Sequence, residues 1–262
     1  MIQRNAIIEW REVAPWKELR FVEQDLIISR ALISVFQDEY LRSRLAFRGG
    51  TALYKLFLTQ QIRYSEDIDF VQINAEPIGE VLDRVRSALF FLGKPKTVRK
   101  ASNNTLVYRM DAEEPPGTPL RLKVEINCRE HFSVHGFQTR PFSLDNQWFS
   151  GECFVSTYRF DELIGTKIRA LYQRKKGRDL FDLYTALQSG LLDVEVAIDS
   201  YRKYMVFTGY KVPSATEYAN NLEEKMKDEY FRIEMLPFLS QSIDYDAYVA
   251  HKLICKHIIE MM

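Results

Sequence analysis

Only three cysteines, Cys128, Cys153 and Cys255, are spread through 262 residues. Few, odd in number and far apart, they exclude a disulfide framework and fit a reducing compartment. No run of eighteen apolar residues occurs, which excludes a membrane-spanning helix. The opening MIQRNAIIEW lacks the apolar stretch of a secretion signal, so the expected location is the cytoplasm. Net charge is also missing: 36 Lys plus Arg balance 36 Asp plus Glu. Attraction to nucleic acid must therefore come from a local patch rather than the whole surface. There is no internal repeat, low-complexity tract or Gly/Ser linker, which removes solenoids and loosely tethered domains. Walker A and G-x-S-x-G sequences are absent, and with them the P-loop and serine-hydrolase chemistries. Cys128, His131 and His135 offer three soft donors without a fourth, too few for a structural zinc site.

What remains is a soluble globular composition, 46% hydrophobic and 27% charged, with enough chain for one large or two modest domains. Apolar spacing predicts a helix over 20–45, a buried strand at 45–47, a turn at Gly49-Gly50 and a helix capped by Thr51. A strand follows over 64–73 and a helix over 78–92. Two further strands, 105–110 and 120–127, flank the breaker EEPPGTP. Residues 131–151 fit neither period. From Arg159 onward the pattern is helical. We therefore expect an α/β half over 1–155 and a helical half over 156–262, packed together because no linker separates them.

The stretch FRGGTALYKLFLTQQIRYSEDIDF carries the chemistry. A strand has a side-chain period of two, so Asp67 and Asp69 leave one face while Ile68 and Phe70 enter the core. Two adjacent carboxylates repel unless a cation lies between them. Oxygen-only donors suit magnesium, or manganese in its place. Gly49 and Gly50 put backbone N–H groups at a helix start, where phosphate is favoured. In LRLKVEIN, Leu122, Val124 and Ile126 share one face and Lys123, Glu125 and Asn127 the other. Glu125 is thus the candidate third carboxylate, completing a second metal site or acting as base. Taken alone it would read as an ordinary solvated strand residue.

In the helical half, Leu163, Ile164, Ile168 and Leu171 mark a buried stripe, and Lys167 emerges within it. A lysine there either snorkels or meets a buried anion. Asp179 and Asp182 share the face of the next helix, whose preceding helix Gly177 is expected to end. The helix dipole alone accounts for Asp179. Arg169, Arg174, Lys175, Lys176 and Arg178 form a basic strip, either a solvated helix end or a contact for RNA phosphates.

GGTAL, then RYSEDIDF, then VEIN, then KIRALYQRKKGRDLFDLY together resemble the AbiEii/AbiGii toxin family. That family includes the MenT toxins and lies within the polymerase-β-like nucleotidyltransferases. The resemblance covers roughly 20–187. Sixteen residues separate Gly50 from Asp67, a longer gap than the broad superfamily keeps but one typical of this toxin-like branch. The resemblance implies an α+β fold with a mixed sheet and flanking helices, followed by a helical domain that closes the cleft. It implies that Lys167 neutralises the triphosphate and that a later aspartate, Asp182 first and Asp179 second, accompanies it. Arg63 and Ser65 resemble the family's residues beside the triphosphate. Gly49, Gly50 and Thr51 would hold its β- and γ-phosphates. The implied reaction moves NMP from an NTP to the tRNA 3′ end, with release of pyrophosphate. Growth arrest, phage defence and a separately encoded antitoxin protein are implied as well. Two other readings stay open: nucleotidylation of a protein or small-molecule hydroxyl, and a non-catalytic nucleotide-binding module.

Overall fold

The computed structural model describes residues 2–58, 60–99, 102–240 and 242–262. The chain divides into two compact units, Met1–Tyr158 and Arg159–Met262.

The first unit is a seven-stranded mixed sheet with helices. Its elements run α1 (Arg4–Trp10), α2 (Leu19–Gln37), α3 (Glu39–Arg44), β1 (Leu45–Arg48), α4 (Gly49–Leu56), β2 (Asp67–Gln72), α5 (Gly79–Ala88), β3 (Lys96–Arg99), β4 (Asn103–Glu113), β5 (Pro116–Asn127), β6 (Gln138–Leu144) and β7 (Gly151–Thr157). The strand order is β3-β4-β5-β2-β1-β7-β6. The pairs β1–β7 and β2–β5 are parallel and the others antiparallel.

The expected helix over 20–45 is two helices. Asp38 leaves the helical region and its side chain accepts the backbone N–H of Leu41, capping α3. α2 packs across one face of the sheet, against β4, β5, β6 and β7. Ile68 and Phe70 point to that face; Phe70 is fully buried and its ring lies 5.7 Å from Phe36 and 5.8 Å from Phe47. Truncating so large a buried ring costs about 3–5 kcal/mol.

α2 is buried nearly all round, polar residues included. The buried side chains Glu23, Gln24, Asp25 and Ser29 each have a partner, as burial demands. The Glu23 carboxylate accepts the backbone N–H groups of Glu113 and Glu114, at the β4–β5 turn. Asp25 and Ser29 hold the ammonium of Lys55, a buried ion pair behind α4. Burial pushes the Lys55 ammonium below the ordinary lysine value, against the pull of Asp25.

β5 begins earlier than the breaker suggested. Its residues from Pro116 to Arg121 pair with β4 but precede the first β2 partner, Lys123. That side of the strand is an edge, where proline is tolerated.

The second unit is helical: α6 (Phe160–Gln173), α7 (Gly177–Gln188), α8 (Val194–Phe207), α9 (Ala215–Met226), α10 (Glu229–Ile233) and α11 (Ala247–His257). α6 and α8 pack closely at Gly165, where a Cβ would lie 2.7 Å from the Ala197 carbonyl. Among the described residues no helix is long and apolar enough to cross a membrane.

Candidate active site

Where β1 passes into α4, Gly49 has φ +80°. A Cβ at that position would lie 2.5 Å from Asp69 Oδ2. Glycine is therefore required twice: for the backbone conformation and for the carboxylate lying against the chain. Thr51 is not the helix cap; α4 already begins at Gly49, placing Thr51 within the first turn. Its buried hydroxyl donates to the Asp67 carbonyl at 2.6 Å. Ser65 Oγ lies 2.7 Å from the same hydroxyl, and since the single Thr51 proton is used, Ser65 is the donor there. These two bonds tie the start of α4 to the start of β2.

The register of the sheet brings the three carboxylates to one face. Asp69 stands opposite Arg48 on β1 and opposite Glu125 on β5; Asp67 stands opposite Lys123. Side chains at paired positions, and two residues along, share a face. That face is the one opposite Ile68, Phe70, Val124 and Ile126, all of them buried. Asp67, Asp69 and Glu125 are each half-buried. Asp67 Oδ2 lies 3.1 Å from the ammonium of Lys123. Glu125 Oε1 accepts from the side-chain amide of Asn103 at 2.6 Å. Arg48 donates to Glu130 at 2.6 Å, a pair with both side chains largely buried.

The donor set fits magnesium or manganese in kind: three carboxylates, all oxygen, on adjacent strands. Among the described residues no three acidic, histidine or cysteine side chains converge closely enough to make a metal site. Asp67 instead pairs with Lys123, and Glu125 with Asn103.

Arg63 is buried, donates from Nη1 to the Tyr64 carbonyl at 3.0 Å, and lies 5.0 Å from the ring centroid of Tyr54. Gln24 reaches from α2 to donate to the carbonyls of Glu66, at 3.0 Å, and Arg121, at 2.9 Å. One amide thereby pins both strands just ahead of the paired acids.

In the helical unit Lys167 is buried and meets two buried acids. Its Nζ lies 2.7 Å from Asp182 Oδ2 and 3.4 Å from Asp179 Oδ1. Arg174 binds Asp179 bidentately, at 2.6 and 2.8 Å. Burial alone would raise the Asp179 carboxyl, but Lys167 and Arg174 outweigh it and hold the group below the ordinary aspartate value. Gly177 opens α7 rather than ending the helix before it. A Cβ there would lie 2.1 Å from the Phe231 carbonyl, and that close approach accounts for the glycine.

Three of the five residues of the basic strip form ion pairs within the unit: Arg174 with Asp179, Lys175 with Asp228, Lys176 with Glu234. Arg169 is buried beside the Tyr204 ring.

Sequence reasoning placed Lys123 on the polar face with Glu125 but gave it no role, and it missed Asn103, Gln24 and the bidentate Arg174. Strand parity was the available signal for Lys123. For Asn103 and Gln24 the partners are distant in sequence and left no local trace; Arg174 and Asp179 are only five residues apart, across the break between α6 and α7.

The family model for the nucleotidyl transferase AbiEii toxin of type IV toxin–antitoxin systems matches residues 30–251. No curated protein sequence matches the chain. Among solved structures, MenT4, a nucleotidyltransferase toxin from Mycobacterium tuberculosis H37Rv, is similar at 14% identity and a TM-score of 0.61. The match covers 96% of this chain and 94% of that one. A putative nucleotidyltransferase from H. pylori is similar at 19% identity and a TM-score of 0.51, covering 92% and 97% of the respective chains. At such identities the structural likeness speaks to the fold; the match of the family model speaks to descent.

Proposed function

We propose that this chain, which belongs to the AbiEii nucleotidyltransferase toxin family, transfers NMP from an NTP to an RNA hydroxyl, the 3′ end of tRNA foremost, and does so with a divalent cation. The acceptor oxygen forms a bond to the α-phosphorus, the bond from that phosphorus to the bridging oxygen of pyrophosphate breaks, and the acceptor proton passes to a carboxylate. Asp67, Asp69 and Glu125 are the groups that would hold magnesium or manganese. The bound cation would supply charge stabilisation at the reacting phosphoryl oxygens. The observation that carries this reading is the row formed by Asp69 and Glu125 beside Gly49, with Asp67 on the same face.

The chain's own residues do the rest. Gly49, Gly50 and Thr51 present backbone N–H groups at the start of α4, and the missing Cβ at Gly49 leaves the Asp69 carboxylate its place. Ser65 and Thr51 fix α4 to β2, so the phosphate-binding turn and the acids move as one piece. Arg63 adds positive charge at the start of this segment. Lys167, with Asp182 or Asp179 beside it, neutralises charge as pyrophosphate leaves. Type IV membership implies an antitoxin partner; we further propose that growth arrest follows from blocked tRNA ends, which would serve phage defence, and that the enzyme acts in the cytoplasm.

The test is incubation of the purified protein with each labelled NTP, magnesium and total tRNA, with cell protein and aminoglycosides offered in parallel. Label on tRNA, lost in Asp69→Asn, is expected. Label on protein or aminoglycoside alone, or transfer by Asp69→Asn at the wild-type rate, would overturn the reading.

A further inference from the structure

On the acid-bearing face, Asp67 and Glu125 are each engaged by a side chain from a neighbouring strand. Lys123 lies opposite Asp67 in the parallel β2–β5 ladder, with its ammonium 3.1 Å from Asp67 Oδ2. Asn103, at the start of β4, donates to Glu125 Oε1 at 2.6 Å. The placement follows from register. Lys123 and Glu125 are two apart on β5, Asp67 and Asp69 two apart on β2, so all four leave one face.

The ion pair is part-exposed, with 33% of the Lys123 and 24% of the Asp67 side chain accessible. Pairs of that kind add little to stability, so holding the fold together does not explain the lysine. Its position does more. An ammonium at hydrogen-bond distance from Asp67 takes an acceptor oxygen that a divalent cation would need, and two cations so close repel. One must leave before the other binds. Lysine suits such an exchange: it is a point charge on a flexible four-carbon stem, whereas arginine would grip the carboxylate with a rigid fork. Once displaced, its ammonium stays within a stem's length of the same face, where a phosphate oxygen is the best remaining acceptor.

We propose that Lys123 is the resident counterion of Asp67, which yields the carboxylate to a divalent cation and then binds a phosphate of the incoming nucleotide. Cation and nucleotide are thereby coupled: the cation releases the lysine, and the nucleotide occupies it. This inference rests on Asp67, Asp69 and Glu125 being the cation ligands.

Removing the charge has opposite effects on the two ligands, which a merely structural role would not produce. Mn2+ uptake by the intact protein without nucleotide, read from loss of the free-ion paramagnetic resonance signal, is compared in wild type, Lys123→Met, Lys123→Arg and Asp67→Asn. Lys123→Met keeps the stem and loses the competitor, so its Mn2+ affinity should rise about tenfold. Its KM for the NTP in saturating magnesium should rise by a similar factor, while Lys123→Arg stays near wild type in KM. Equal Mn2+ affinity in wild type and Lys123→Met, with Asp67→Asn weakened, overturns the inference and leaves the ligand assignment standing. No Mn2+ uptake by wild type, or uptake unchanged in Asp67→Asn, overturns the assignment and the inference together. A Lys123→Met protein that binds both ligands more weakly also overturns it.

Discussion

Replacing Gly49 by alanine separates two properties that the structure joins at one position. With φ at +80°, an L-residue there costs about 1–3 kcal/mol of backbone strain. The added Cβ would also stand 2.5 Å from Asp69 Oδ2, where ordinary contact begins at 3.4 Å. The carboxylate must retreat by about 0.9 Å, the difference of those two distances. A displacement of about 1 Å at a reacting group costs on the order of a hundredfold in rate. Gly93 supplies the control: its φ is +79°, yet nothing lies within 4 Å of a Cβ built there. Gly49→Ala and Gly93→Ala are therefore expected to lose comparable stability in urea unfolding. In transfer of label from an NTP, Gly49→Ala should fall about a hundredfold in kcat, and Gly93→Ala should match wild type. Wild-type turnover by Gly49→Ala, or an equal loss in Gly93→Ala, would show that the contact between Asp69 and the chain does not matter to the reaction.

Two further outcomes concern the helical unit. Lys167→Met leaves Asp179 and Asp182, both fully buried, with one cation fewer, which should cost about 3–5 kcal/mol in urea unfolding. Adding Asp182→Asn should restore part of that stability while label transfer stays lost; a fully active double variant would remove Lys167 from the reaction. Asp179 makes stability depend on acid. Its folded pKa lies below the unfolded one because Lys167 and Arg174 outweigh burial, so its contribution is complete above the unfolded value of about 3.9 and disappears as pH falls through the folded value. Unfolding free energy should therefore drop more steeply in that window for wild type than for Asp179→Asn, and equal slopes would sink the assignment.

Much of the first unit can be read along the chain because the needed information is local. Alternation places Asp67 and Asp69 opposite Ile68 and Phe70, and the same alternation puts Lys123 and Glu125 on one face. What alternation does not contain is register. That Asp69 meets Glu125, and Asp67 meets Lys123, depends on a parallel pairing between strands separated by α5, β3 and β4. Gln24 was hidden differently. In a helix read for its apolar stripe, a buried glutamine looks like an outward residue until the carbonyls of Glu66 and Arg121 are known to lie beside it. β6 escaped because it is the outermost strand, with exposed and half-buried residues alternating and Pro141 within it; edge strands tolerate both. At Gly177 the sequence signal was real and its cause was misjudged. The Phe231 carbonyl presses on it from α10, far along the chain, so the glycine serves packing rather than termination.

The magnitudes also decide how a triphosphate can approach the acid-bearing face. The start of α4 offers backbone N–H groups, and a helix N-terminus favours an anion by typically 0.3–1 kcal/mol at an exposed site. Against that stand Asp67, Asp69 and Glu125, offset on the same face by the Lys123 ammonium. Like charges about 4 Å apart repel by about 1 kcal/mol in water and about 4 kcal/mol near a protein surface. Even one unscreened carboxylate cancels what the helix start provides, and the structure sets three beside it. With Lys and Arg equal in number to Asp and Glu, the whole-protein field does not tip the balance either. A glycine turn alone would make this face a poor anion site. On the proposed reading it becomes a good one only when cations and nucleotide bind together, and the carboxylates and the turn at Gly49 would then act as one device rather than as two neighbouring ones.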